Sequence, residues 1–140
     1  MISISTTHLA NMRAHAEADY PHECCGGLLG TFDGENKVVT KTVPLQNHWE
    51  DIPGEDKTRR FRVTSEDYKM LEDMAKNDGL MLLGFYHSHP DHPPIPSETD
   101  VTFAWPFFSY PILSIKKGVF DNIRSYELIG AKLIEEALHH

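Results

Sequence analysis

The chain has 140 residues, which suits one domain and leaves little room for two. Its 13 Lys plus Arg stand against 21 Asp plus Glu, a formal charge of −8, which argues against a nucleic-acid partner because no basic footprint exists at the whole-chain level. The only two cysteines, Cys24 and Cys25, are adjacent and exclude a disulfide scaffold. They read as reduced, part-buried residues of a cytoplasmic protein.

No apolar run approaches the roughly 18–20 residues of a membrane span, and Met1 to Ser5 lacks the basic start of a signal peptide. Residues 6–19 read as a helix capped by Ser5 or Thr6, with Leu9, Met12, Arg13 and Ala16 at helical spacing, and Tyr20-Pro21 ends it. Cys24 to Phe32 reads as a buried strand whose glycines permit close backbone approach. Asp33-Gly34 signals a hairpin, and the β-branched run Lys37 to Leu45 is the returning strand. Residues 46–60, with Trp49 and Pro53-Gly54, read as a long loop, followed by a short strand at 61–63.

Thr64-Ser65-Glu66-Asp67 starts a second helix whose stripe is Tyr68, Leu71, Met74 and Ala75, closed at Asn77-Asp78-Gly79. Leu80 to Tyr86 is a continuous apolar run, as in a central strand buried on both faces, and it ends at His87-Ser88-His89. The four prolines of Pro90 to Pro96 preclude regular structure there. A helix starts at Ser97 and runs toward Phe107, ended or kinked by Pro106. Tyr110 to Lys116 and Val119 to Ile129 form a last strand pair around Lys117-Gly118, and the tail from Ala131 to Leu138 is helix-compatible. The terminal His139-His140 pair is not expected to belong to a site.

Side chains alternate along a strand, so His87 and His89 share a face and Ser88 points away. Two co-facial imidazoles suit one metal ion, although a strand end meeting solvent produces the same pattern. Ser97 and Asp100 lie three apart on the first turn of a helix. That spacing also describes a capping box, which needs no site at all. The proline-stiffened connection between the two pairs favours a preformed centre. Two neutral imidazoles and one carboxylate leave a bound Zn²⁺ at about +1 with a fourth position for water, which then ionises near pH 7 rather than at about 15.7. The proton carrier must come from elsewhere. Glu23, at the mouth of the small-residue strand, is a candidate, since a carboxylate there either faces a cavity or is an ordinary exposed Glu.

Pro21-His22-Glu23-Cys24-Cys25-Gly26-Gly27-Leu28-Leu29-Gly30 and the His-x-His-x7-Ser-x2-Asp array together resemble the JAMM (MPN-plus) zinc metallopeptidase family. Gln46-Asn47 and the Phe61 region resemble its compact bacterial members. The resemblance implies a single catalytic domain over 1–140 of the α/β class, a curved mixed β-sheet flanked by helices, similar to the cytidine deaminases. It implies one Zn²⁺ per chain held by His87, His89 and Asp100, with Glu23 as general acid/base and Ser97 stabilising the oxyanion. The family's activity is cleavage of a peptide or isopeptide bond after the C-terminal tail of a ubiquitin-like protein. The shortness of this chain favours a sulfur-carrier-like protein over polyubiquitin. The tail is expected to lie extended along a strand edge, with the 46–60 loop as one wall.

Three other readings compete. Two His and one carboxylate also form the triad of non-haem iron oxygenases, although that triad usually draws its second His from far along the chain. Non-catalytic MPN-type scaffolds lack some ligands, whereas the full set is present here. RadC-like relatives share the array, but the acidic charge and the Glu23 segment argue against a DNA context.

Overall fold

In the computed structural model, residues 1–47 and 63–140 are described. β1 (Ile2–Ile4) leads into α1 (Thr6–Asp19), where Ser5 caps the helix by accepting from the His8 amide. Leu9, Met12 and Ala16 are the buried face of α1. Arg13, on the same stripe, stays at the rim with its guanidinium 4.4 Å from the Phe120 ring centre. β2 (Cys25–Asp33) and β3 (Asn36–Leu45) make the hairpin, with Gly34 at φ 62° in its turn. α2 (Ser65–Asn77) begins at a reciprocal capping box between Thr64 and Asp67 and buries Leu71 and Ala75. Then come β4 (Met81–Pro90), α3 (Glu98–Phe103), β5 (Ser109–Lys116), β6 (Val119–Ile129), β7 (Lys132–Glu136) and β8 (Leu138–His139).

The strands form one mixed sheet in the order β7-β6-β5-β4-β2-β3-β1-β8. β7 and β8 stand at opposite ends of that order, yet only Ala137 separates them in the chain. The sheet must therefore curl until its two edges nearly meet, which the Ile2 amide marks by donating to the Ala137 carbonyl at 3.0 Å. Lys37 of β3 reaches across this curl, its Nζ donating to Ser109 Oγ at 2.9 Å. The helices pack on opposite faces. α1 covers a core of Ile2, Ile4, Met12, Leu28, Leu83, Tyr86 and Leu113, while Leu71 of α2 joins Cys25, Leu45, Phe85, Ala104 and Tyr110. The fold is thus the curved mixed sheet flanked by helices that the family resemblance implies. Among the described residues, no helix is long and apolar enough to cross a membrane.

β4 is the central strand, antiparallel to β2 and parallel to β5. The approach of β5 demands glycine at position 84, because a Cβ there would lie 1.9 Å from the Ser109 carbonyl oxygen. Backbone cannot swing aside as a side chain can, so Gly84→Ala is expected to lose about 3 kcal/mol of stability in urea denaturation. A loss below about 0.5 kcal/mol would contradict this packing.

Four elements differ from expectation. The Ala131 to Leu138 tail is strand, not helix: Gly130 turns at φ 64° and β7 pairs with β6 from Ile129↔Lys132 to Ser125↔Glu136, so pairing overrides helix propensity. β1 lies where no element was expected, a three-residue strand parallel to β3. α3 stops at Phe103 well short of Phe107, because Trp105 precedes Pro106 and Phe107 takes φ 74°. β4 runs on past Tyr86 through both histidines to Pro90. Trp49, Pro53-Gly54 and most of the expected 46–60 loop and 61–63 strand lie outside the described residues. Val63, which is described, belongs to no strand and packs against the α2-side core.

Candidate metal centre

Strand register builds the site. Cys25 pairs with His87, and antiparallel pairing carried two residues further sets Glu23 opposite His89. Directly opposed residues share a face, so Glu23 joins His87 and His89 on one side of the sheet. Two bonds hold that alignment beyond the ladder: Ser88 Oγ accepts from the Cys24 amide at 2.8 Å, and the Ser88 amide donates to the Cys24 carbonyl at 3.1 Å. Ser88 thus points away from the imidazoles, as alternation requires, and tethers the Glu23 segment. Asn47 Nδ2 donates to the Glu23 carbonyl at 2.9 Å from the other side.

The donor atoms converge. His87 Nε2 and His89 Nε2 lie 3.2 Å apart, with Asp100 Oδ1 3.1 Å from the first and Asp100 Oδ2 3.1 Å from the second. One ligand atom from each of Glu23, His87 and His89 lies within 4.8 Å of the other two. All four residues are buried, with Glu23 only 3% exposed. Asp100 arrives through the start of α3. Ser97 Oγ accepts from the Asp100 amide at 3.1 Å, and the Ser97 amide donates to Asp100 Oδ2 at 2.8 Å. The capping box is therefore real, and it aims the Asp100 carboxylate at the imidazoles rather than competing with that role.

The protonation pattern shows what this cluster can hold. The Pro93 carbonyl, 3.0 Å from His89 Nδ1, can only accept, so Nδ1 carries a proton and Nε2 is the nitrogen left to face His87, Asp100 and an ion. Burial is the main influence on His87 and lowers its pKa, against the opposing pull of Asp100, leaving a neutral ring near pH 7. Burial works against the Asp100 charge, but the imidazoles facing it win and hold its carboxyl well below the usual carboxylate range. Two ring nitrogens and a carboxylate gathered this closely can hold a cation among them. Ligand atoms around a tetrahedral ion with bonds of about 2.0–2.1 Å stand about 3.3 Å apart, close to the separations seen here. The donor set fits zinc.

A cleft of about 430 Å³ opens on the centre, lined among others by Glu23, His89, His92, Ile95, Ser97 and Thr99. Cys24 and Cys25 take no part as nucleophiles. Burial pushes the Cys24 thiol up to about 12 and raises that of Cys25 as well, so both stay protonated at neutral pH. Ser88 and the Pro93 carbonyl support the site but carry no signal of their own in the sequence, because they act through strand register and loop backbone, whereas Asn47 is marked only by the family resemblance.

The family model for prokaryotic homologs of the JAB domain matches residues 5–129. Among curated relatives, a desampylase from Haloferax volcanii is 34% identical over 107 residues, 76% of this chain and 72% of its own length. A CysO-cysteine peptidase from Mycobacterium tuberculosis is 30% identical over 130 residues, 91% of this chain and 83% of its own. The solution structure of a protein from Desulfitobacterium hafniense superposes with a TM-score of 0.83 at 28% identity, covering 99% of this chain and 91% of that one. A JAB1/MPN domain protein from Archaeoglobus fulgidus shares the fold at a TM-score of 0.60 and 20% identity, covering 99% and 95% of the two chains. Family model, relatives and fold agree, and the chain belongs to the prokaryotic JAB-domain family.

Proposed function

We propose that the chain is a zinc-dependent hydrolase, one catalytic domain over 1–140, that cuts a peptide or isopeptide bond after the C-terminal tail of a ubiquitin-like or sulfur-carrier protein in the cytoplasm. The observation that carries this reading is the convergence of His87 Nε2, His89 Nε2 and the Asp100 carboxylate at 3.1–3.2 Å beside a second buried carboxylate, Glu23. Desampylase and CysO-cysteine peptidase among its relatives support a hydrolase acting on such tails.

In this reading His87, His89 and Asp100 hold the zinc, which when bound supplies Lewis-acid activation of water and of the scissile carbonyl. The Glu23 carboxylate takes the proton of the attacking water and returns it to the leaving amine. Ser97 accepts from the Asp100 amide through a lone pair, which leaves its hydroxyl proton to donate to the oxyanion. A tail of glycines presents little but backbone, so it can lie extended in the cleft close to Ile95 and Thr99, its amides and carbonyls meeting the walls.

Protein purified without added metal should carry one zinc, rather than iron, per chain by elemental analysis. Dialysis against a chelator should abolish cleavage of a carrier-protein fusion, and zinc should restore it. Iron as the resident metal, or activity that survives complete zinc removal, contradicts the proposal.

A further inference from the structure

The loop between the two halves of the centre is held in an unusual way. Three consecutive carbonyls, of His92, Pro93 and Pro94, each accept a hydrogen bond. Ser114 Oγ donates to the His92 carbonyl at 2.6 Å, His89 Nδ1 to the Pro93 carbonyl at 3.0 Å, and Tyr126 Oη to the Pro94 carbonyl at 2.6 Å. Ser114 and Tyr126 belong to β5 and β6, are buried, and lie outside the His-x-His and Ser-x-x-Asp array. Ser114 pairs with His89 across the parallel β4–β5 ladder, so it stands beside the imidazole whose acceptor it flanks. Further along, Asp91 at φ 57° accepts from Tyr20 Oη at 2.6 Å and from the Lys117 amide at 2.8 Å, closing the near end of the loop.

We infer that Ser114 and Tyr126 are positioning residues for the metal centre: by gripping the carbonyls on either side, they aim the Pro93 carbonyl that fixes the tautomer and ring direction of His89. A peptide carbonyl turns only with its neighbours, and four prolines in Pro90 to Pro96 leave few backbone torsions to absorb error. Pinning the peptide units before and after Pro93 therefore leaves its carbonyl one direction. A ligand histidine whose other nitrogen is held this way keeps its lone pair on the ion, and loss of such support typically weakens metal binding about 10–100-fold. The inference rests on the zinc reading above, and its readouts are independent of cleavage.

Tyr126→Phe deletes the hydroxyl and keeps the ring, and Ser114→Ala deletes the second grip. Tyr86→Phe is the control. It removes another buried tyrosine hydroxyl, on β4 itself, hydrogen-bonded to His15 at 2.7 Å on the α1 side of the sheet. Two quantities are measured in each variant: zinc affinity by chelator competition, and, in the zinc-loaded protein, the His89 Nδ1–H proton resonance that reports the bond to the Pro93 carbonyl. Tyr126→Phe should weaken zinc about tenfold, the double variant more, and both should shift the His89 Nδ1–H resonance and speed its exchange with solvent. Tyr86→Phe should leave zinc affinity within about twofold and the His89 resonance unchanged, even where its melting temperature falls as far. Equal zinc affinity and an unmoved His89 resonance in the double variant would overturn the inference, leaving both residues as ordinary fold contacts. The same holds if Tyr86→Phe moves both readouts equally. Neither readout needs substrate, so a protein that binds zinc normally but cleaves no carrier tail refutes the proposed function and leaves this support intact.

Discussion

Glu23→Gln is expected to retain one zinc per chain and to lose hydrolysis by about 10²–10⁴-fold, the range of a general acid/base. The substitution keeps volume and shape in a site where the residue is 3% exposed. The segment's main-chain anchors, from Asn47 to the Glu23 carbonyl and from the Cys24 amide to Ser88, do not involve the carboxylate. Fold and cleft should therefore persist, with the melting temperature near that of the wild type. Because a proton transfer belongs to the transition state, the loss should fall on kcat with little change in KM. Activity within about tenfold of the wild type would remove Glu23 from the proton path.

Asp100→Asn makes the reciprocal prediction. Zinc affinity should fall by more than about 100-fold, since a direct ligand outweighs the outer partners whose loss costs 10–100-fold. Asparagine can still accept from the Ser97 amide, so the start of α3 should survive and the metal-free melting temperature should move little. The rise in melting temperature that zinc gives the wild type should disappear at zinc levels far below the weakened dissociation constant. The pair of variants separates the two carboxylates near the imidazoles. Glu23, His87 and His89 also lie within 4.8 Å of one another, a spacing that would itself accommodate an ion. If Glu23 is the ligand, Glu23→Gln loses zinc and Asp100→Asn keeps it. His87→Ala loses zinc under either arrangement.

Much of the site was legible because local rules generate it. Strand alternation alone makes His87 and His89 co-facial, and a helical turn alone makes Ser97 and Asp100 neighbours. The capping box was legible too, but its relation to the centre was not. One carboxylate both caps α3 and faces two imidazoles, and only tertiary placement reveals that the two readings describe one arrangement. Glu23 reads equally as an ordinary exposed Glu at a strand mouth, and only the fold buries it with its carboxylate beside His87 and His89. The tail failed for a related reason. Residues 132–136 have the composition of a helix, and what makes them β7 is an open edge on β6 that no local pattern announces. The near-closure of the sheet is equally non-local, since it depends on β8 finding β1 across the whole strand order.

A metal-dependent cut after a carrier tail leaves a defined product mass, which intact-mass spectrometry reads. A ubiquitin-like or sulfur-carrier protein ending in Gly-Gly, extended by a short peptide, is incubated with zinc-loaded protein, with chelated protein and with Glu23→Gln. The expected result is a single new mass corresponding to the carrier ending in its glycines, formed by the zinc-loaded protein alone. An uncleaved fusion, cleavage elsewhere in the chain, or equal product from the chelated protein would contradict it.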